Sequence, residues 1–185
     1  MFSLCQIILA LTSVLVVRAA VSECFYLKGI SAGRDLGYAS IAQPSGNKNY
    51  MSTFTTNGLL ASKFGINPKT SELRVFTTGN NVNGRTAAIA PKSTSAFLVF
   101  DTKTSMLLQN RKALVCSLKP VNILACTASD NAAVSVSQYC PTFWSIADRQ
   151  RTDLGCTSLV LQAIAAPFEG CGNFSTGVGS LVGSD

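Results

Sequence analysis

The chain has 185 residues, of which 47% are apolar and only 13% charged, with a formal net charge of +6 and no histidine. That length suits one domain, since a chain of about 150 residues already hides roughly 70% of its unfolded surface. The charged share is about half the usual, but apolar residues are plentiful and regularly spaced, which excludes a disordered chain. The missing histidine removes the usual catalytic triads and the commonest general base. Basic residues are scattered, and only Arg111-Lys112 and the 149–151 segment bring them close together. A nucleic-acid binder would cluster them with aromatics, so the charge reads as solubility with weak attraction to acidic glycans.

Residues 7–17 are hydrophobic apart from Thr12 and Ser13. This run is too short to span a bilayer, and small residues follow it, so residues 1–20 read as a signal peptide despite an n-region without Lys or Arg. Cleavage after Ala19, Ala20 or Ser22 fits the small-residue rule. The expected β domain is then 21–171, followed by a flexible Gly/Ser-rich tail at 172–185. The tail lacks the hydrophobic stretch of a lipid-anchor signal. Export predicts an extracellular or cell-wall location with no membrane contact after cleavage.

Cys5 leaves with the leader, and Cys24, Cys116, Cys126, Cys140, Cys156 and Cys171 remain. An even number in an exported chain predicts three disulfides, with 15 pairings open. No C-x-x-C spacing occurs, so neither a metal site nor a cofactor is expected.

In chain order, 24–30 reads as a strand, 31–35 as its turn and 38–42 as a second short strand. Residues 51–56 could be a third, with Asn57-Gly58 as a two-residue hairpin signal and 59–61 as the return strand. Two segments then match at an offset of 34 residues, FGINPKTSELRV at 64–75 and LVFDTKTSMLLQ at 98–109. The expected unit is a hairpin. Asn67 or Asp101 ends a strand and folds its side chain onto the turn, Lys-Thr-Ser crosses it, and Leu73 or Leu107 re-enters the core. Residues 86–90 read as a strand between them.

Residues 113–118 and 121–128 pair around a turn centred near Val121, which sets Cys116 opposite Cys126. Pairing Cys24 with Cys171 would pin the domain's ends together. Val134, Val136 and Gln138 share one face of the next strand, and Pro141 stops it. Trp144, the single tryptophan, is either a stacking platform for a ligand or a core residue beside Cys140. Leu159, Leu161 and Ala163 share one side of the last strand. No stretch reads as an amphipathic helix of three turns. Short strands with turn signals every 8–12 residues point to one all-β domain, an antiparallel barrel or sandwich, with a β-trefoil among the options.

Little in the chain points to chemistry. No G-x-S-x-G elbow is present, and the acids fall almost entirely in expected turns or tails. Asp148 and Asp153, on one loop, are the nearest thing to the carboxylate pair a glycosidase needs, but turn capping explains both. Asn173, in Asn173-Phe174-Ser175, is the lone glycosylation sequon.

These motifs carry a resemblance. Cys24-Phe25-Tyr26-Leu27 opens the domain. Then come repeated F-x-I/V-[ND] hairpins, V-C-S-L at 115–118, L-A-C at 124–126, F-W-S-I at 143–146 and G-C-T-S-L-V-L at 155–161. The pattern resembles small secreted fungal surface proteins, including phialide-type cell-wall proteins, over most of 24–164, but lacks their Cys-x-Tyr ending. The resemblance implies a β-rich, disulfide-bonded protein of the cell wall or extracellular space with no assigned activity. The expected function is therefore non-enzymatic and structural, with cell-wall polysaccharide as the partner. A secreted effector or lectin-like carbohydrate-binding module is the alternative, and a small carboxylate-dependent glycan-active enzyme a second one. The oligomeric state stays open.

Overall fold

The structure is a computed structural model that describes residues 24–43, 49–76, 82–89 and 98–166. The expected signal peptide, the tail, Cys171 and Asn173 lie outside the described residues.

Among the described residues, twelve strands fall into three successive groups of four. The first holds β1 (Phe25–Ser31), β2 (Arg34–Ala42), β3 (Tyr50–Thr55) and β4 (Lys63–Ile66). The second holds β5 (Leu73–Phe76), β6 (Thr86–Ile89), β7 (Val99–Asp101), a short helix α1 (Lys103–Leu108) and β8 (Lys112–Lys119). The third holds β9 (Ile123–Ala128), β10 (Val136–Cys140), β11 (Phe143–Ala147) and β12 (Thr157–Ala165).

The ladders close on themselves. A ring of eight strands runs β1-β2-β3-β7-β6-β8-β9-β12 and returns to β1, with β4 and β5 bridging β1 to β6 and the β10–β11 hairpin appended to β12. A shorter path runs through β4 and β5, because the residues leading into β5 also meet β8. The Cys116 N–H donates to the Ser71 carbonyl at 2.8 Å, and Glu72 bridges to Val115. Strands β1, β4, β5, β8, β9 and β12 thus form the barrel wall, and β2–β3, β6–β7 and β10–β11 supply one hairpin per group. That is the β-trefoil arrangement, and it realises the expected closed all-β fold. Closure pairs every ring strand on both sides and leaves no free edge within the ring.

Alternation explains why these segments are strands. In β1, Phe25, Leu27, Gly29 and Ser31 point inward. Its partner β12 buries Leu159, Leu161 and Ala163, in register with Ser31, Gly29 and Leu27. Gly29 admits no side chain, because a Cβ there would overlap the Phe54 ring. Ala32 and Gly33, both at positive φ, make the two-residue turn between β1 and β2, whose twist matches that of the strands. One core runs through the barrel, with Trp144, Phe64, Phe100, Leu73, Leu114 and Ile146 among its fully buried side chains.

Three expectations fail. Asn57-Gly58 makes no hairpin. The Asn57 carboxamide accepts from the Leu59 N–H at 3.0 Å and starts a 3-10 turn, Gly58–Leu60. Leu59 and Leu60 are consequently exposed and form no return strand. The 64–75 and 98–109 segments are not equivalent either. In the first, Asn67 accepts from the Lys69 N–H, Ser71 takes positive φ, and a true hairpin results with Leu73 buried. In the second, Asp101 is occupied elsewhere and the Thr102 hydroxyl caps the Ser105 N–H. The chain therefore coils into α1, leaving Leu107 at 82% exposure instead of in the core. Among the described residues α1 is a short exposed helix of six residues, well below three turns.

Asp101 explains the difference. It is 5% exposed, accepts from the Thr102 N–H and the Ser105 hydroxyl, and pairs with Arg111 at 2.5 Å and Arg85 at 3.7 Å. Arg111 also donates to Asn49 at 2.7 Å, and Arg85 lies over the Tyr50 ring. One buried carboxylate thereby ties β7 to α1, to the start of β8 and to the segment entering β3.

Candidate functional site

The third group carries a cleft. At the end of β10, Cys140 pairs with Phe143 across Pro141 and Thr142, and Thr142 has φ 77°. Proline followed by a positive-φ residue is the type II turn pattern. After β11 the chain runs out through an exposed loop and makes a 3-10 turn, Thr152–Leu154, ended by Gly155 at φ 70°. A disulfide between Cys140 and Cys156 ties this loop to the hairpin. Between the two lies a cavity of about 250 Å³ lined by Gln138, Cys140, Pro141, Phe143, Ser145, Arg151 and Leu154. It is smaller than the 300–1,000 Å³ typical of drug-sized ligands. One sugar ring, or a side group of one, is the matching scale.

Gln138 gives the cleft its polarity. It is fully buried, and its Oε1 accepts from the Arg151 backbone N–H at 2.8 Å. That bond fixes which end of the amide is which, because an N–H can be met only by the oxygen. The Nε2 then has no hydrogen-bond partner. A buried donor without an acceptor is unfavourable by roughly 1–3 kcal/mol, and a folded protein tolerates few of them. The rest of the wall is mostly apolar: Pro141, half-buried Phe143, the disulfide, and Leu154, which is 46% exposed.

Arg151 is held by Asp153 through two bonds, Nε to Oδ1 at 2.9 Å and Nη2 to Oδ2 at 2.7 Å. Hydrogen bonding to Arg151 keeps the Asp153 carboxyl below its ordinary range, and the same contact raises Arg151. A general acid in glycoside hydrolysis needs the opposite shift, so the structure gives Asp153 the role of an ion-pair partner. Asp148 is exposed on the same loop, and neither acid lines the cleft.

The other residues singled out by sequence are placed as follows. Cys116 and Cys126 face one another across β8 and β9 and are bonded. Cys140 and Cys156 form the second described bridge. Cys24 is also disulfide-bonded; its expected partner, Cys171, lies outside the described residues, as does the sequon at Asn173. Trp144 is 0% exposed in the core, so it offers no ring face to a ligand, and stacking on it is corrected to a packing role. Phe143, its neighbour on the opposite face of β11, is the aromatic that reaches the cleft. Sequence reasoning missed Gln138, Phe143, Arg151 and Leu154 as a group. The one available signal was a glutamine on a strand face otherwise made of valines.

Among the described residues, no cluster of three metal-ligating side chains occurs, and no helix is long and apolar enough to cross a membrane.

The pairing pattern defines the chain as a disulfide-bonded, β-trefoil-type closed barrel. No protein-family model and no curated protein matches the sequence. Among solved structures it is similar to a chain of the lysenin pore, at 13% identity and a TM-score of 0.47, over 76% of this chain and 46% of that one. A likeness that slight carries no functional argument.

Proposed function

We propose that the protein is an exported, non-enzymatic glycan-binding protein of the cell wall or extracellular space, which holds polysaccharide in the cleft of its third group. The observation that carries this reading is the combination of a fully buried Gln138, whose amide nitrogen has no partner, with a mostly apolar wall. Sugars present the matching surface, with C–H faces that pack on side chains such as Phe143 and oxygen atoms that accept from an amide. Oxidised cysteines support an oxidising destination, and the resemblance to secreted fungal surface proteins agrees with a wall polysaccharide as partner. A small, partly open cleft with a buried polar group favours the lectin-like reading over association through a featureless surface. The cleft lining contains no Asp, Glu or His, which supports binding without turnover.

Retention on insoluble chitin and on β-glucan tests the proposal. The oxidised protein should be retained by at least one of them, and the double substitution Phe143→Ala, Leu154→Ala should weaken retention at least tenfold. No retention on either polymer, or retention indifferent to both substitutions, would overturn it.

A further inference from the structure

The chemistry of the cleft specifies more than a sugar, and on the reading just given we infer that it recognises an acetamido group, so that its ligand is a chain of N-acetylhexosamine units. The free polar group in the floor is a donor. Gln138 Oε1 is already engaged by the Arg151 N–H, and Nε2 is the end without a partner. A sugar hydroxyl brings a proton of its own that needs an acceptor, for which the lining side chains offer the Ser145 hydroxyl and the second lone pair of Gln138 Oε1 but no carboxylate. The acetamido carbonyl brings lone pairs to that donor, and the N–H of the same group lies on its opposite side, toward the open mouth of the cleft. The methyl group beside it needs an apolar wall, and Pro141, Phe143, Leu154 and the Cys140–Cys156 bridge supply one. The cavity, about 250 Å³, admits an acetamido group together with part of its ring. Leu154 and Pro141 are the exposed members of the wall, and Leu154 sits on a three-residue turn, so an acetamido group would reach the buried amide nitrogen by displacing this rim side chain.

A site built to donate to one buried acceptor rejects analogues that lack it, because the amide is then left unpaired again. Binding of chitotetraose, its fully deacetylated counterpart and laminaritetraose to the oxidised full chain, measured by calorimetry, tests this. The acetylated oligomer should bind at least tenfold tighter than the other two. Saturation-transfer NMR should place its acetyl methyl, in preference to its ring protons, against the protein. Gln138→Glu keeps an oxygen for the Arg151 N–H but replaces the donor with a second oxygen, and should abolish the preference for the acetylated oligomer. Should that variant fail to fold, Leu154→Trp closes the cleft from its exposed rim and should reduce chitotetraose binding at least tenfold with the circular dichroism spectrum unchanged. Equal binding of acetylated and deacetylated or glucose oligomers would overturn the acetamido inference and leave polysaccharide binding standing. Absence of binding to all three, together with no retention on either polymer, would overturn both.

Discussion

A few residues sit in conformations that their chemistry resists. Val121 has φ 56° and Asn122 φ 60° in the turn between β8 and β9. Asparagine tolerates that region; a β-branched residue does not, and the left-handed conformation is unfavourable by about 1–2 kcal/mol for ordinary side chains. Val121 is also 78% exposed, so little packing offsets the strain. Val121→Asn should therefore stabilise the protein by about 0.5–1 kcal/mol, read as a higher urea midpoint with unchanged slope. The opposite case is Asp101, whose removal strands two guanidinium groups in a largely buried network. Asp101→Ala should destabilise by about 3–5 kcal/mol. A loss below about 1 kcal/mol would show that Arg85 and Arg111 find water instead.

Ion pairs at the surface set a pH dependence of defined sign. Asp35 is shifted down by its hydrogen bond to Lys28 and by the Gly37 N–H, and Asp153 by Arg151. A carboxylate whose folded pKa is depressed adds stability above its unfolded pKa, and that contribution is lost as pH falls through the folded value. Lys28 is shifted up, so its share is present below its unfolded pKa and lost as pH rises through the folded one. Urea midpoints should fall below about pH 4, the ordinary aspartate range. Asp35→Asn combined with Asp153→Asn should flatten that fall. The effect is small and salt-sensitive because both acids are exposed.

At the scale of elements, the three connections that lead from a hairpin back to the barrel share a feature. The 3-10 turn Gly58–Leu60, helix α1 and the 3-10 turn Thr152–Leu154 each expose leucine, at positions 59 and 60, 107 and 108, and 154. None of these leucines belongs to the core, so Leu59→Gln should change stability by no more than about 0.5 kcal/mol, measured by thermal unfolding. The bridges are the opposite kind of element constraint. Cys140 and Cys156 are separated by 16 residues and Cys116 and Cys126 by 10. A loop of about 15 residues contributes roughly 3 kcal/mol by chain entropy. Replacing Cys140 and Cys156 by alanine should lower stability by about that much and also loosen the cleft. The Cys116, Cys126 pair should lower stability slightly less and leave ligand binding intact.

For the whole molecule, the decisive contact is between its most distant strands. Strand β1 pairs with β12 from Phe25↔Ala165 to Ser31↔Leu159. The Ser31 hydroxyl reinforces the seam, with the Thr157 hydroxyl at 2.6 Å and the Ser158 carbonyl at 2.8 Å. The barrel therefore cannot close until the last strand is available, and such long-range pairing slows folding to the millisecond-to-second range. The cleft depends on the same closure, since β10 pairs with β12 through Gln138↔Ser158 and Tyr139↔Thr157.

Local rules settled the all-β character, most strand positions and the facing of Cys116 and Cys126, because alternation and turn chemistry act over a few residues. Those rules could not separate 64–75 from 98–109, whose sequences match. The difference lies in Arg85 and Arg111, which reach Asp101 only in the folded chain. Nor could they reveal the cleft. The Arg151 N–H, on another loop, takes the Gln138 oxygen and so fixes the amide nitrogen as the end without a partner. Periodicity records which side of a strand is buried; which groups meet there, and which are left over, is set when distant segments pack.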